Sequence, residues 1–168
     1  MKKMFVTQAL AGEWANAMLG EALDRLTVEQ WESPSAVNFR SMQGIANHLL
    51  LADRLWLHRI TGQGERPGDV SSLPYPNIAE YRTARKAQDA VIIAFARGLD
   101  DAHVDEILTF STLEGTAKAL PLGLCLLHFF NHQTHHRGQL HGLLGTHGIA
   151  APDVDLLYFP GAQAAWSA

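Results

Sequence analysis

The segment LGLCLLHFFNHQTHHRGQLHGLLGTHG, residues 122–148, decides how this chain is read. Its apolar residues recur at helical spacing, Pro121 suits the first turn of a helix, and Gly148 suits the position just past the end of one. One helix across the segment follows. It carries six of the nine histidines: His128, His132, His135, His136, His141 and His147. At about 100° per residue, Leu122, Leu126, Phe129, Leu140 and Leu143 centre on a direction near His136; His132 lies within about 80° of that centre, and His128 and His135 lie further round. His132 and His136 are therefore the inward pair, one turn apart and within reach of a common ion.

Upstream, residues 4–26 place Phe5, Leu10, Trp14, Met18, Leu19, Leu23 and Leu26 at helical spacing and predict a first helix. The stretch TVEQWESPSAVNFR has no sustained period and reads as a connection, up to Ser41, which can cap a second helix over about 42–61. Glycines and prolines dominate 62–76, a loop, after which Asn77 can cap a third helix running to about Leu99. Residues 103–120 alternate loosely around Glu114-Gly115 and predict a short β-hairpin. The tail has two prolines and an apolar DLLYF patch expected to pack back on the helices, with the last residues fraying. The expected fold is all-α: one domain, residues 1–168, built as a four-helix bundle with a hairpin between its third and fourth helices.

Composition narrows the function. With 168 residues, 47% apolar and 18% charged, the chain can bury a core. A net charge of −4 argues against a phosphate-tracking nucleic-acid surface. The strongly apolar stretch Leu120–Phe130 is too short to span a membrane, and Thr7, Gln8, Gly12 and Glu13 interrupt any signal-peptide core. The single Cys125 sits in an apolar run and has no intrachain partner, so a reducing, cytoplasmic setting is expected. None of the eight glutamates is followed three residues on by histidine, which removes the di-iron bundle; HExxH, paired cysteines, GxGxxG, the P-loop and GxSxG are also absent.

A third protein ligand would hold an ion while leaving positions open for chemistry. His48 is the best candidate, because it lies beside the inward stripe Ile45, Leu49, Ala52 and Trp56. His58 points to a different face and His103 lies in a connection. The competing reading is a solvated i,i+4 pair or a hydrogen-bonded core histidine. Against it stands the cost of burying several rings without partners, roughly 1–3 kcal/mol each. His128 and His135 remain surface or supporting groups.

The run NHQTHHRGQL at 131–140, preceded by Leu127-His128-Phe129-Phe130, together with NHLLLADRLWLHRI at 47–60, resembles the DinB/YfiT-like superfamily of damage-inducible-type proteins. The resemblance spans most of the chain. It implies an up-down-down-up four-helix bundle, a homodimer, and one divalent ion held by three histidines, which match His48, His132 and His136 here. The ion would be Zn, Ni or Fe; imidazole suits all three, and the sequence does not select among them. Family members with assigned activities are mostly transferases or isomerases that use low-molecular-weight thiols such as bacillithiol or mycothiol. Two functions follow: a metal-dependent enzyme of thiol-dependent transferase, isomerase or hydrolase type acting on a small molecule, or a non-catalytic dimeric bundle with a stress or interaction role. No catalytic acid or base is placed by sequence; Asp53, Gln139 and Tyr81 are candidates. Arg137 reads as a structural ion-pair residue and Trp56 as core, with pocket lining second. Leu124 and Leu127 face away from the main stripe of their helix, which suggests either dimer packing or cover from the tail.

Overall fold

The computed structural model describes residues 1–36 and 38–167. Four long helices form the frame: α1 (Lys2–Leu23), α3 (Met42–Thr61), α4 (Ile78–Gly98) and α5 (Leu122–Thr146). Two short helices, α2 (Val28–Glu32) and α6 (Ala162–Ser167), and a hairpin of β1 (Ile107–Ser111) and β2 (Ala117–Pro121) complete it. Helix α1 packs on α4 and α5, and α3 packs on the same two, so the long helices close a ring in the order α1, α4, α3, α5. The helix starts follow the capping residues. Ser41 accepts from Gly44 N and Asn77 from Glu80 N, while α3 ends at Gly62 in the left-handed conformation.

Six helices appear among the described residues rather than four, and each addition has a local cause. Helix α1 stops at Leu23, and after a turn Thr27 and Gln30 form a capping box that starts α2; Trp31 is buried in the interior, where its indole N–H donates to Pro76 O at 3.1 Å. The same signal was present in the letters TVEQ but lay next to Pro34 and serines. At the other terminus α6 replaces the expected fraying: it packs on α1, buries Ala165, and sets Trp166 under the Lys3 ammonium at 4.8 Å. The DLLYF patch stays largely open, with Leu157 91% exposed, while Phe159 packs back against Trp14. Leu124 and Leu127, at 51% and 55% exposure, are not covered by the tail.

The hairpin lies where its alternation placed it. Its strands are antiparallel, pairing Thr109 with Ala119, and Gly115 in the turn takes φ 86°. Phe110 packs edge-on against Trp56, and Arg59 Nη2 donates to Ser111 O at 3.1 Å, so the hairpin is pinned to the second half of α3. Two apolar clusters fill the bundle. One gathers Leu19, Leu23, Trp31, Ile45, Leu50, Tyr81, Leu140 and Leu144; the other gathers Phe5, Leu57, Ile92, Ala96, Leu126, Phe129 and Phe130. Polar side chains of α3 and α5 lie in the same interior, and they are the interesting part.

Candidate metal centre

Helices α3 and α5 are neighbours in the ring, and the inward faces read from their sequences meet. His48 is 7% exposed and His136 4%, with His132 half-buried. Their Nε2 atoms converge: His132 lies 3.1 Å from His136 and 3.4 Å from His48. One ligand nitrogen from each of the three falls within 4.8 Å of the others.

The rings are aimed by their other nitrogens. The Val70 carbonyl can only accept, so His48 Nδ1 donates to it at 3.0 Å, and His136 Nδ1 donates to Gln139 Oε1 at 2.8 Å. Both Nε2 atoms therefore present bare lone pairs to His132. A proton on His132 Nε2 can satisfy one of them and leaves the other unmatched, a deficit that a cation removes. Ligands about 2.05 Å from one ion stand about 2.9 Å apart at a right angle and about 3.3 Å apart in a tetrahedron. The 3.1 Å spacing falls in that range and the 3.4 Å spacing lies just above it. Burial holds the His48 imidazole down to about 4 and, with the neighbouring rings, His132 down to about 3; His136 is lowered too, chiefly by burial. All three are neutral at pH 7, the form that ligates.

The Val70 carbonyl arrives there because the loop between α3 and α4 is tied down. Asn47 Nδ2 donates to Tyr75 O at 3.0 Å, its oxygen accepts from Tyr75 N at 2.9 Å, and Gln43 Nε2 donates to Pro76 O at 2.8 Å. On the other side Phe39 stacks on the His48 ring. Neither support was visible in the sequence, since a backbone carbonyl and a residue in an aperiodic connection leave no motif; the Asn47-His48 pair was the nearest signal.

The remaining candidates sort themselves by partner. Asp53 is buried and accepts from Arg85 Nη1 at 2.6 Å and Gln133 Nε2 at 3.0 Å. Arg85 also lies 2.9 Å from Asp89, which accepts from Asn16 Nδ2 at 2.9 Å. These ion pairs remove Asp53 as a free base. Tyr81 is 4% exposed beside them, its phenol pushed up to about 12 by burial, which removes it as well. Gln139 is a ring-aiming group. Arg137 sits in the field of Asp53 and Asp89 but makes no ion pair among the described residues, contrary to the expectation; its Nη2 donates to Thr134 Oγ1 at 3.3 Å, and its buried Nη1 has no hydrogen-bond partner. Trp56 is half-buried rather than core: His128 meets its ring at 4.8 Å and the Arg59 guanidinium at 5.0 Å.

The other histidines disperse. His58 meets Gly64 O, His103 pairs with Glu106, and His141 meets Pro152 O. His128 and His135 flank the cluster, with ring centroids 5.6 Å from His132 and 4.9 Å from His136. Cys125 is buried and its thiol is raised by burial, so it offers no nucleophile.

A closed ring of long helices holding three convergent, neutral imidazoles defines a helical-bundle protein with a site suited to a divalent metal. The family model described as "DinB family" matches residues 4–167, and the chain belongs to the DinB family. A crystal structure of a DinB-like protein from Bacillus cereus ATCC 10987 has the same fold, with a TM-score of 0.65 at 23% identity, covering 84% of this chain and 91% of that one. No curated protein sequence matches the chain. Among the described residues no helix is long and apolar enough to cross a membrane.

Proposed function

We propose that the chain is a metal-dependent enzyme that carries one divalent ion on His48, His132 and His136, and that its reaction is a thiol-dependent transfer or isomerisation, or a hydrolysis. The supporting observation is the meeting of three Nε2 atoms at ion-sharing distances, two of them with the opposite ring nitrogen already committed to an acceptor. When bound, a Zn, Ni or Fe ion supplies Lewis acidity that brings a thiol or water toward its anion at neutral pH. The chain's part is to hold the imidazoles neutral and aimed. Trp56 and His128 line the flank beside His132. With Asp53 and Tyr81 locked elsewhere, His128 and His135, which flank the cluster, are the side chains placed to carry a proton near the site. We further propose a cytoplasmic homodimer, supported by the lone buried cysteine and by the exposed Leu124 and Leu127.

Elemental analysis of protein purified without a nickel column tests the first step, with about one Zn, Ni or Fe per chain expected and none in H132A. Metal-free protein whose thermal stability does not respond to added Zn, Ni or Fe would overturn it. A screen of low-molecular-weight thiols against electrophiles then tests the chemistry, and gel filtration of Leu127→Glu tests the dimer.

A further inference from the structure

We infer that Phe39 is a positioning residue of the three-histidine site, pressed onto His48 by a strained turn that the missing side chain of Gly44 permits. The inference rests on the metal reading above and adds to it a part of the chain that no motif marks.

Phe39 and Arg40 have φ of 64° and 63°. That is the left-handed region, unfavourable for bulky residues and rare for two in succession. Such strain persists only where the surroundings impose it. Here the Phe39 carbonyl lies against the first turn of α3, and a Cβ on Gly44 would overlap its oxygen. Ser41 N donates to that same oxygen at 2.8 Å, and Ser35 N donates to Arg40 O at 2.6 Å. Ser41 meanwhile caps α3 through Gly44 N, so the turn and the start of the helix form one unit. Gly44 stands one helical turn before His48.

The product of this geometry is a ring placed on the site. Phe39 lies nearly parallel to the His48 imidazole, centroids 3.7 Å apart at 15°, and presents itself edgewise to His136 at 5.8 Å and 65°. His48 is thereby held in two independent ways: Val70 O restrains the ring within its plane, and Phe39 restrains its rotation out of that plane. His136 is held likewise by Gln139 and the edge of Phe39. Ring orientation sets how well a lone pair meets an ion, and groups that orient ligands are worth on the order of 10–100-fold in metal affinity. Phe39 also packs on the first apolar cluster, so simple core filling is the alternative.

The two roles separate by substitution. Phe39→Leu keeps the apolar bulk and the backbone strain but removes the stacked ring; Phe39→Tyr keeps the ring. Dissociation constants for Co(II), measured by chelator competition together with the visible ligand-field spectrum of the Co(II) protein, provide the readout, and the melting temperature of metal-free protein reports core filling. The expected result is a loss of about 10–100-fold in affinity with a changed spectrum in F39L, at a melting temperature near native, and recovery to within about threefold in F39Y. Native affinity in F39L, or a loss that F39Y shares, overturns the inference. If F39L does not fold, G44A decides the same point: the same loss of affinity supports it and native affinity overturns it. Failure of the native protein to bind Co(II) overturns the metal reading itself, whereas tight native binding with unaffected variants overturns only the role of Phe39.

Discussion

His48, His132 and His136 occupy one end of a polar seam whose other members are Asp53, Arg85 and Asp89. Helix α3 supplies both groups, His48 to the first and Asp53 to the second, and α5 links them through Gln133, which follows His132 and donates to Asp53. In the second group two carboxylates share one guanidinium at 2.6 and 2.9 Å, so the group contains a cation of its own even though its charges do not cancel one for one. Burial works against the Arg85 charge, but Asp53 and Asp89 hold its pKa above the usual range. Among the described residues the first group has no carboxylate hydrogen-bonded to it and gathers lone pairs instead. The two clusters thus differ in what they contain. The ion-pair cluster contains its own cation and serves the fold, although Arg85 Nε and Nη2 find no hydrogen-bond acceptor among the described residues; the imidazole cluster gathers lone pairs with no protein cation there to meet them, and that makes it a site.

The comparison breaks most visibly in stability. Arg85→Ala leaves two buried carboxylates without their cation and should lower the unfolding free energy by about 3–5 kcal/mol in urea denaturation. His132→Ala should change the metal-free protein by no more than about 1 kcal/mol, since it removes a ring that has no counter-charge to abandon. Equal losses in the two variants would show that the imidazoles are structural. Adding a binding metal at a hundred times its dissociation constant should stabilise the native protein by about 2.7 kcal/mol, an increment that EDTA reverses and that H48A and H132A lack.

Acid should act on the two clusters with opposite sign. His48 and His132 titrate in the folded protein at about 4 and about 3, against 6.5 when free, so the unfolded chain binds more protons in that interval. Their contribution is intact above pH of about 6.5 and is lost as the pH falls toward the folded values. Asp89, raised by burial from 3.8 to about 6, takes up its proton earlier in the folded state and gains stability as the pH falls through that window. Metal-free native protein should therefore lose stability from neutral pH downward more steeply than the H48A/H132A double variant, as followed by urea midpoints. A steeper fall in the double variant would reverse the assignment. The smallest effect is expected of Gln139→Leu: stability within about 0.5 kcal/mol of native, but metal affinity about tenfold weaker, measured by competition titration.

Much of this was legible beforehand. The pairing of His132 with His136, the inward stripe beside His48 and the turn at Gly115 are local patterns, set by helical and hairpin geometry within a few residues. Other assignments needed neighbours that the letters do not announce. Asp53 looked available for proton transfer from its place five residues beyond His48, until Arg85, thirty-two residues later, proved to occupy it. Trp56 sat on the apolar stripe of its helix, yet the hairpin brings Phe110 to one part of its ring while His128 and Arg59 approach others. The capping box at Thr27 was readable but stood against an aperiodic background, and only the burial of Trp31 shows why a five-residue helix is stable there.

By itself the sequence determined the long helices, their inward faces, and which of nine histidines share a face that can enter the bundle, because side-chain direction along a helix repeats every few residues and needs no distant partner. The tertiary structure alone decided which carboxylate is neutralised, which carbonyl aims His48, and which ring lies over it. Those choices are made through space, between segments as far apart in the chain as His48 and His132. They depend on desolvation and on partners meeting within hydrogen-bonding distance, and neither is written in the spacing of residues along one helix.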